Sequence, residues 1–247
     1  GVTQLDPSTL GIKQRGVQAF RLLQKNWSLV FDIEQIDPWI EVSSLQDFDV
    51  REGQVQVNTV LDYQIQNAGV NSLFVRLPVN ADSVTFTGRD ITDFIETGDA
   101  DGRMSTWQVK LSRRWVGAYP LQVSYRRVGI SQTNDLVLSG VTASGVNLQR
   151  GFVSIRASGR LEVRVPEVPS SLVHTDWQTI PAALKRVTTT EANHAFRVIE
   201  PDFDLAAQVV RHTVAQLLPA QVERVELNST ISSNHELLTE VRMWIHP

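Results

Sequence analysis

The chain has 247 residues, of which 42% are hydrophobic and 20% charged, with a formal net charge of -4 and no cysteine. That length accommodates one large domain or two ordinary ones, each with a real core, and the composition is globular rather than disordered. The missing thiols exclude disulfides, thiol catalysis and cysteine-ligated zinc. The acidic balance argues against nucleic acid, whose phosphates call for a basic footprint. No apolar run approaches the roughly 20 residues a membrane-spanning helix needs. The first residue is Gly1 rather than Met, which leads us to expect a processed or excised piece of a longer protein.

In chain order, the first strand signal is the alternation Trp27, Leu29, Phe31, Ile33. From Gln54 to Gln66, Val55, Val57, Thr59, Leu61, Tyr63 and Ile65 take one face. Gln54, Gln56, Asn58, Asp62, Gln64 and Gln66 take the other, with Val60 the exception. Successive strand side chains point to opposite faces, so this is a strand with one face in a core and one in water. The rhythm continues in Leu73, Val75, Leu77; in Trp107, Val109, Leu111; in Leu121, Val123, Tyr125; in Val153, Ile155; and in Leu161, Val163, Val165. Clean alternation belongs to antiparallel sheets, since parallel strands buried on both faces would be apolar throughout. Turn chemistry separates the runs at Arg51-Glu52-Gly53, Asn67-Ala68-Gly69, Gly98 to Gly102, Ala157-Ser158-Gly159 and Ser232 to His235. A hairpin turn is also expected at Gly117.

Helical periodicity is scarce. Ile180, Ala183 and Leu184 make at most a turn or two after Pro181. The stretch from Leu205 to Leu218 fits a helix capped by Asp204, or equally a strand through Leu205, Ala207 and Val209. The fold expected is therefore all-β, antiparallel β-sandwich modules with at most one or two short helices. We place a β-sandwich at residues 1-129 and a second β-rich, sandwich-like unit at 130-247, the latter expected to be truncated at its C-terminal end. In the last strand Leu237, Thr239, Val241, Met243 and Ile245 form one face. The other carries Leu238 and Trp244, more apolar than a wetted face should be. Pairing across Ser232 to His235 would set Val222 to Ile231 beside it.

The segments Ile180-Pro181-Ala182-Ala183-Leu184, Ala195-Phe196-Arg197-Val198, Val210-Arg211-His212, Glu226 to Thr230 and Leu238 to Arg242 follow one another in a particular order. With Gly151-Phe152-Val153 and Leu161-Glu162-Val163, this order resembles a segment of very large membrane-anchored bacterial proteins of unknown function, whose β-sandwich modules lie outside the cytoplasm. The resemblance covers roughly the last hundred residues. It implies an extracytoplasmic location, periplasm or cell surface, and a structural or interaction role; it carries over no functional residue.

Chemistry-bearing constellations are sparse. Thr97-Gly98-Asp99-Ala100-Asp101-Gly102 resembles the middle of a calcium loop. Aligning Gly102 with the loop's glycine puts Thr97 and Gln108 where its first and last acids belong, so a plain turn is the expectation. His174, His194, His212, His235 and His246 are scattered, and His235-Glu236 is followed by Thr239 where a zincin needs its second histidine. Ser139-Gly140 and Ser144-Gly145 lack a nucleophile elbow. No catalytic residue, cofactor site or metal site is assigned. Among six tryptophans, Trp27 and Trp107 share the inward register of their strands. Trp115 and Tyr119, at the expected hairpin tip, are the candidate ligand-binding residues, since aromatic faces stack on sugars. The expected function is a non-catalytic structural or protein-interaction module, bound to a protein partner or to neighbouring domains of its own chain. The alternative is a carbohydrate- or ligand-binding sandwich using exposed aromatics.

Overall fold

Period-two alternation builds almost all of this molecule. The computed structural model describes residues 2–13, 17–32, 34, 36–98, 102–128, 135–188, 190–213 and 221–246. The chain divides into two units, Gly1–Pro38 and Trp39–Pro247. In the first, β1 (Val2–Leu5) pairs antiparallel with β2 (Ala19–Leu22), with a 3-10 turn at Pro7–Leu10 between them. Asp6 caps that turn by accepting from the Ser8 N–H at 2.9 Å, which holds its carboxyl below the usual carboxylate range. The strand expected through Trp27 and Phe31 does not form among the described residues, and both side chains are exposed. Alternation needs a hydrogen-bonded neighbour to become a strand, and none of the described strands pairs with this stretch. Ile33 lies outside the described residues.

The second unit carries β3 (Trp39–Arg51), β4 (Gln54–Pro78), β5 (Asp82–Thr87), β6 (Ile91–Gly98), β7 (Met104–Val128), β8 (Asp135–Ser139) and β9 (Thr142–Ser144). It continues with β10 (Leu148–Ala157), β11 (Leu161–Arg164), β12 (Leu172–His174), β13 (His194–Val198), β14 (Asp204–Arg211), β15 (Gln221–Ile231) and β16 (Leu237–His246). Its helical content among the described residues is two further single 3-10 turns, Trp177–Thr179 and Lys185–Val187. The protein is all-β. A nine-stranded sheet runs β12-β13-β10-β3-β4-β7-β5, with β6 added to β7 and β9 to β4. A three-stranded sheet, β11-β14-β8, shares one core with it through Leu136, Leu138, Leu161, Val163, Leu205, Ala207 and Val209. This is sheet-on-sheet packing. The segment after Asp204 is thus a strand as far as Arg211; residues 214–220 lie outside the described residues.

Two expectations are corrected. The boundary at residue 129 does not separate two sheets, because β10 lies parallel beside β3 over Leu148↔Glu41 to Ala157↔Val50 and β9 pairs with β4. Strands from both sides of that boundary complete one sheet, and both sides contribute to one core. That β3–β10 pair is the one parallel ladder among the described strands; the others pair antiparallel, as expected. Finally, neither Asn67-Ala68-Gly69 nor Gly117 ends a strand. β4 and β7 run as continuous 25-residue partners, and the register shifts around Val70 and Trp115 mark bulges. Asn67 (φ 66°) and Gly117 (φ 92°) supply the left-handed backbone there. Turn-forming residues serve here to bend a long ribbon.

The parallel β3–β10 ladder depends on a glycine. A Cβ on Gly151 would sit 2.1 Å from Ser44 Oγ and 2.4 Å from the Ser44 carbonyl oxygen. The second of these is backbone and cannot rotate away. Gly151→Ala is expected to cost about 1–3 kcal/mol, as overpacking of a tight core does, measured as a drop in the chemical-unfolding midpoint.

Candidate interaction surface

The second unit covers its sheet unevenly, and this separates its core from its surface. The inner face is closed by the three-stranded sheet. There Gln46 points inward and grips the Val141 backbone, accepting from its N–H at 2.7 Å and donating to its carbonyl at 3.0 Å. The outer face has its own apolar cover, Ile180 and Leu184, which cluster with Leu45, Val60 and Ala195 of the sheet. Beside that cover the outer face turns polar: Ser154 donates to Asp47 at 2.7 Å and Arg156 pairs with the same carboxylate. Asp47 is fully buried, and burial raises its carboxyl above the usual range despite the hydrogen bonds from Ser154 and Arg156 that oppose it.

β15 and β16 are covered by neither layer. Among the described strands they pair only with each other, from Gln221↔His246 to Ile231↔Leu237, closed by a turn in which Ser232 N–H donates to the Glu236 carbonyl at 2.9 Å. This is the pairing expected across Ser232 to His235. The register sorts the side chains sharply. One face carries Val225, Leu227, Ser229 and Ile231 opposite Met243, Val241, Thr239 and Leu237, with Val222 and Ile245 continuing it. The eight apolar members of this face are between 46% and 70% exposed. The other face carries Arg224, Glu226 and Asn228 opposite Trp244, Arg242 and Glu240. Trp244 lies under the Arg224 guanidinium at 5.2 Å, so its ring is half covered on the polar side. Leu237, Val241 and Met243 belong by register to a core face, and the structure leaves that face in water.

The candidate ligand residues sit elsewhere. Trp115 and Tyr119 meet edge to face at 5.1 Å on β7. Tyr119 is buried, its hydroxyl donating to the Arg89 carbonyl at 2.6 Å, and burial pushes its pKa up to about 12. Trp115 is half-buried, donates to the Ala118 carbonyl at 3.0 Å and carries Arg113 over its ring at 4.8 Å. The pair anchors the bend of β7 and does not form the open hairpin-tip platform expected. The physical reason is that β7 continues through Gly117, which keeps Tyr119 in the inward register. Trp107 packs on Phe86 and Phe94 at the core, as expected, whereas Trp27 and Trp39 are exposed.

Among the described residues the histidines do not converge on a metal-binding group. His174 and His194 flank Phe196, with His194 Nε2 2.8 Å from the Val163 carbonyl oxygen, while His212 meets Glu162 at 2.8 Å. Arg164 and His212 hold the exposed Glu162 carboxyl below the usual range. Asp99 and Asp101 lie outside the described residues. Thr97, however, donates its hydroxyl to the Thr106 carbonyl at 2.9 Å, and Gln108 donates to Ser72 at 3.2 Å. Both positions that a calcium loop would fill with acids are committed to strand pairing. Thermal melts with calcium or with a chelator are therefore expected to overlap within a degree, where a bound ion would raise the midpoint.

No family model matches the chain, and no curated protein matches it. Among solved structures it is similar to an M1 zinc metallopeptidase from Deinococcus radiodurans, at 8% identity and a TM-score of 0.36, over 83% of this chain and 47% of that one. It is similar to leukotriene A4 hydrolase from Saccharomyces cerevisiae, at 9% identity and a TM-score of 0.39, over 78% of this chain and 30% of that one. A non-cellulosomal cohesin from Archaeoglobus fulgidus aligns with 49% of this chain and 91% of its own length, at 18% identity and a TM-score of 0.28. The chain thus spans less than half of either enzyme.

Proposed function

We propose that the chain is a non-catalytic structural or protein-interaction module of a larger extracytoplasmic protein, and that it makes its contact through the apolar face of the β15–β16 hairpin. One observation carries this reading: eight aliphatic or thioether side chains share one sheet face and are all exposed. Contiguous apolar patches of more than a few hundred Å² mark interaction sites on soluble proteins. The location outside the cytoplasm rests on the C-terminal resemblance alone. Among the described residues no helix is long and apolar enough to cross a membrane.

Because the chain has no cysteine, a single thiol reports accessibility cleanly. Leu227→Cys should react with a maleimide at dilute concentration at a rate close to that of a free peptide thiol. Protection of that thiol in the folded monomer by a factor of a hundred or more would show that the chain buries this face itself, and the interaction reading would fail.

A further inference from the structure

We infer that the occupant of the hairpin's apolar face is a second copy of this chain, packed face to face about a two-fold axis; this rests on the reading of that face as an interaction surface. Three features of the face support a self-match. Among the residues whose side the register sets, it carries no ionisable side chain: those between Val222 and Ile245 that share it are Val225, Leu227, Ser229, Ile231, Leu237, Thr239, Val241 and Met243. Two copies therefore meet without burying a charge, the costly item in any sheet interface. The single polar pair, Ser229 and Thr239, is bonded within the hairpin at 2.9 Å, so its hydroxyls enter the interface already partnered. Charged groups whose positions are set by the register, Arg224, Glu226, Glu240 and Arg242, lie on the opposite face and stay wet.

Area gives the second argument. At their observed exposures the eight apolar residues present on the order of 800 Å² per copy, so a face-to-face pair could bury at most about 1,600 Å², within reach of a standard specific interface. The symmetry also fits. The same patch on two copies can meet about a two-fold axis lying between the two sheets. An isologous contact then closes at two copies. Pairing through the free edges of β15 or β16 would satisfy backbone groups but leave the apolar face in water, which makes the face the stronger contact.

Sedimentation velocity on the intact chain from about 1 to 100 µM tests this directly, over the range where a standard-sized interface associates. The expected result is a reversible monomer–dimer equilibrium, abolished by Leu227→Lys combined with Val241→Lys, with the far-ultraviolet spectrum and melting midpoint of the monomer retained. A monomer throughout the range, or a dimer untouched by the lysine pair, would overturn the second-copy assignment. The labelling of Leu227→Cys separates the two failures. Monomer with a reactive thiol leaves the interaction surface standing for a different partner, while monomer with a protected thiol removes both readings.

Discussion

Leu61→Asp is expected to leave the protein unfolded or aggregated under conditions where the natural sequence is folded. Leu61 is fully buried in the main core, opposite Ser44 on β3 and Leu121 on β7. A carboxylate placed there loses its hydration and gains no cation, a penalty that exceeds about 4–5 kcal/mol. That is comparable with the whole stability of an ordinary domain. Three positions along the same strand, Gln64 is exposed on the opposite face, and Gln64→Thr should shift the unfolding midpoint by only a few tenths of a kcal/mol. Circular dichroism on the two variants checks the register directly. A one-residue slip would put Leu61 in water and leave Leu61→Asp folded.

Asp47→Ala is the second large effect. The Asp47 carboxylate is fully buried and answers Arg156, whose side chain is only 15% exposed. Removing one partner of such a pair strands the other, at a cost of about 3–5 kcal/mol. Asp47→Leu together with Arg156→Met should recover most of that loss, because the desolvation of both charges disappears with them. Acid adds a signature. Burial lifts the folded carboxyl above its unfolded value, so its favourable contribution is complete below the unfolded pKa and is lost as pH rises through the folded one. The stability difference between the natural sequence and Asp47→Ala should therefore widen as pH falls from 7 toward 4. A gap that narrows would mean that the Arg156 pairing outweighs burial at this site.

How far the sequence reveals these features depends on whether a residue's pattern has one physical cause or two. The alternation from Gln54 to Gln66 reads correctly because a single rule acts on it, and the inward set is the buried set. Its exception, Val60, already marks the apolar cover of the outer face, since Val60 packs with Leu45, Ile180 and Leu184. Gly117 and Asn67 mislead because left-handed backbone suits a bulge as well as a turn, and only the partner strand decides between them. Trp115 and Tyr119 inherit that error: a hairpin tip would expose both, whereas a continuous strand keeps Tyr119 in the core. The parallel β3–β10 ladder is invisible locally because it joins residues about a hundred positions apart. At the C-terminal hairpin the pairing is legible from the alternation and from Ser232 to His235. The exposure of its apolar face is not, since alternation shows that a face seeks cover without showing whether the same chain provides it.

The most direct measurement is the unfolding midpoint of the Leu227→Lys, Val241→Lys double variant at a concentration too low for association. With the hairpin face reserved for a partner, the midpoint should match that of the natural sequence within a few tenths of a kcal/mol, in contrast to the collapse expected of Leu61→Asp. A loss of several kcal/mol would place Leu227 and Val241 in the molecule's own core and contradict the assignment of this face as an interaction surface.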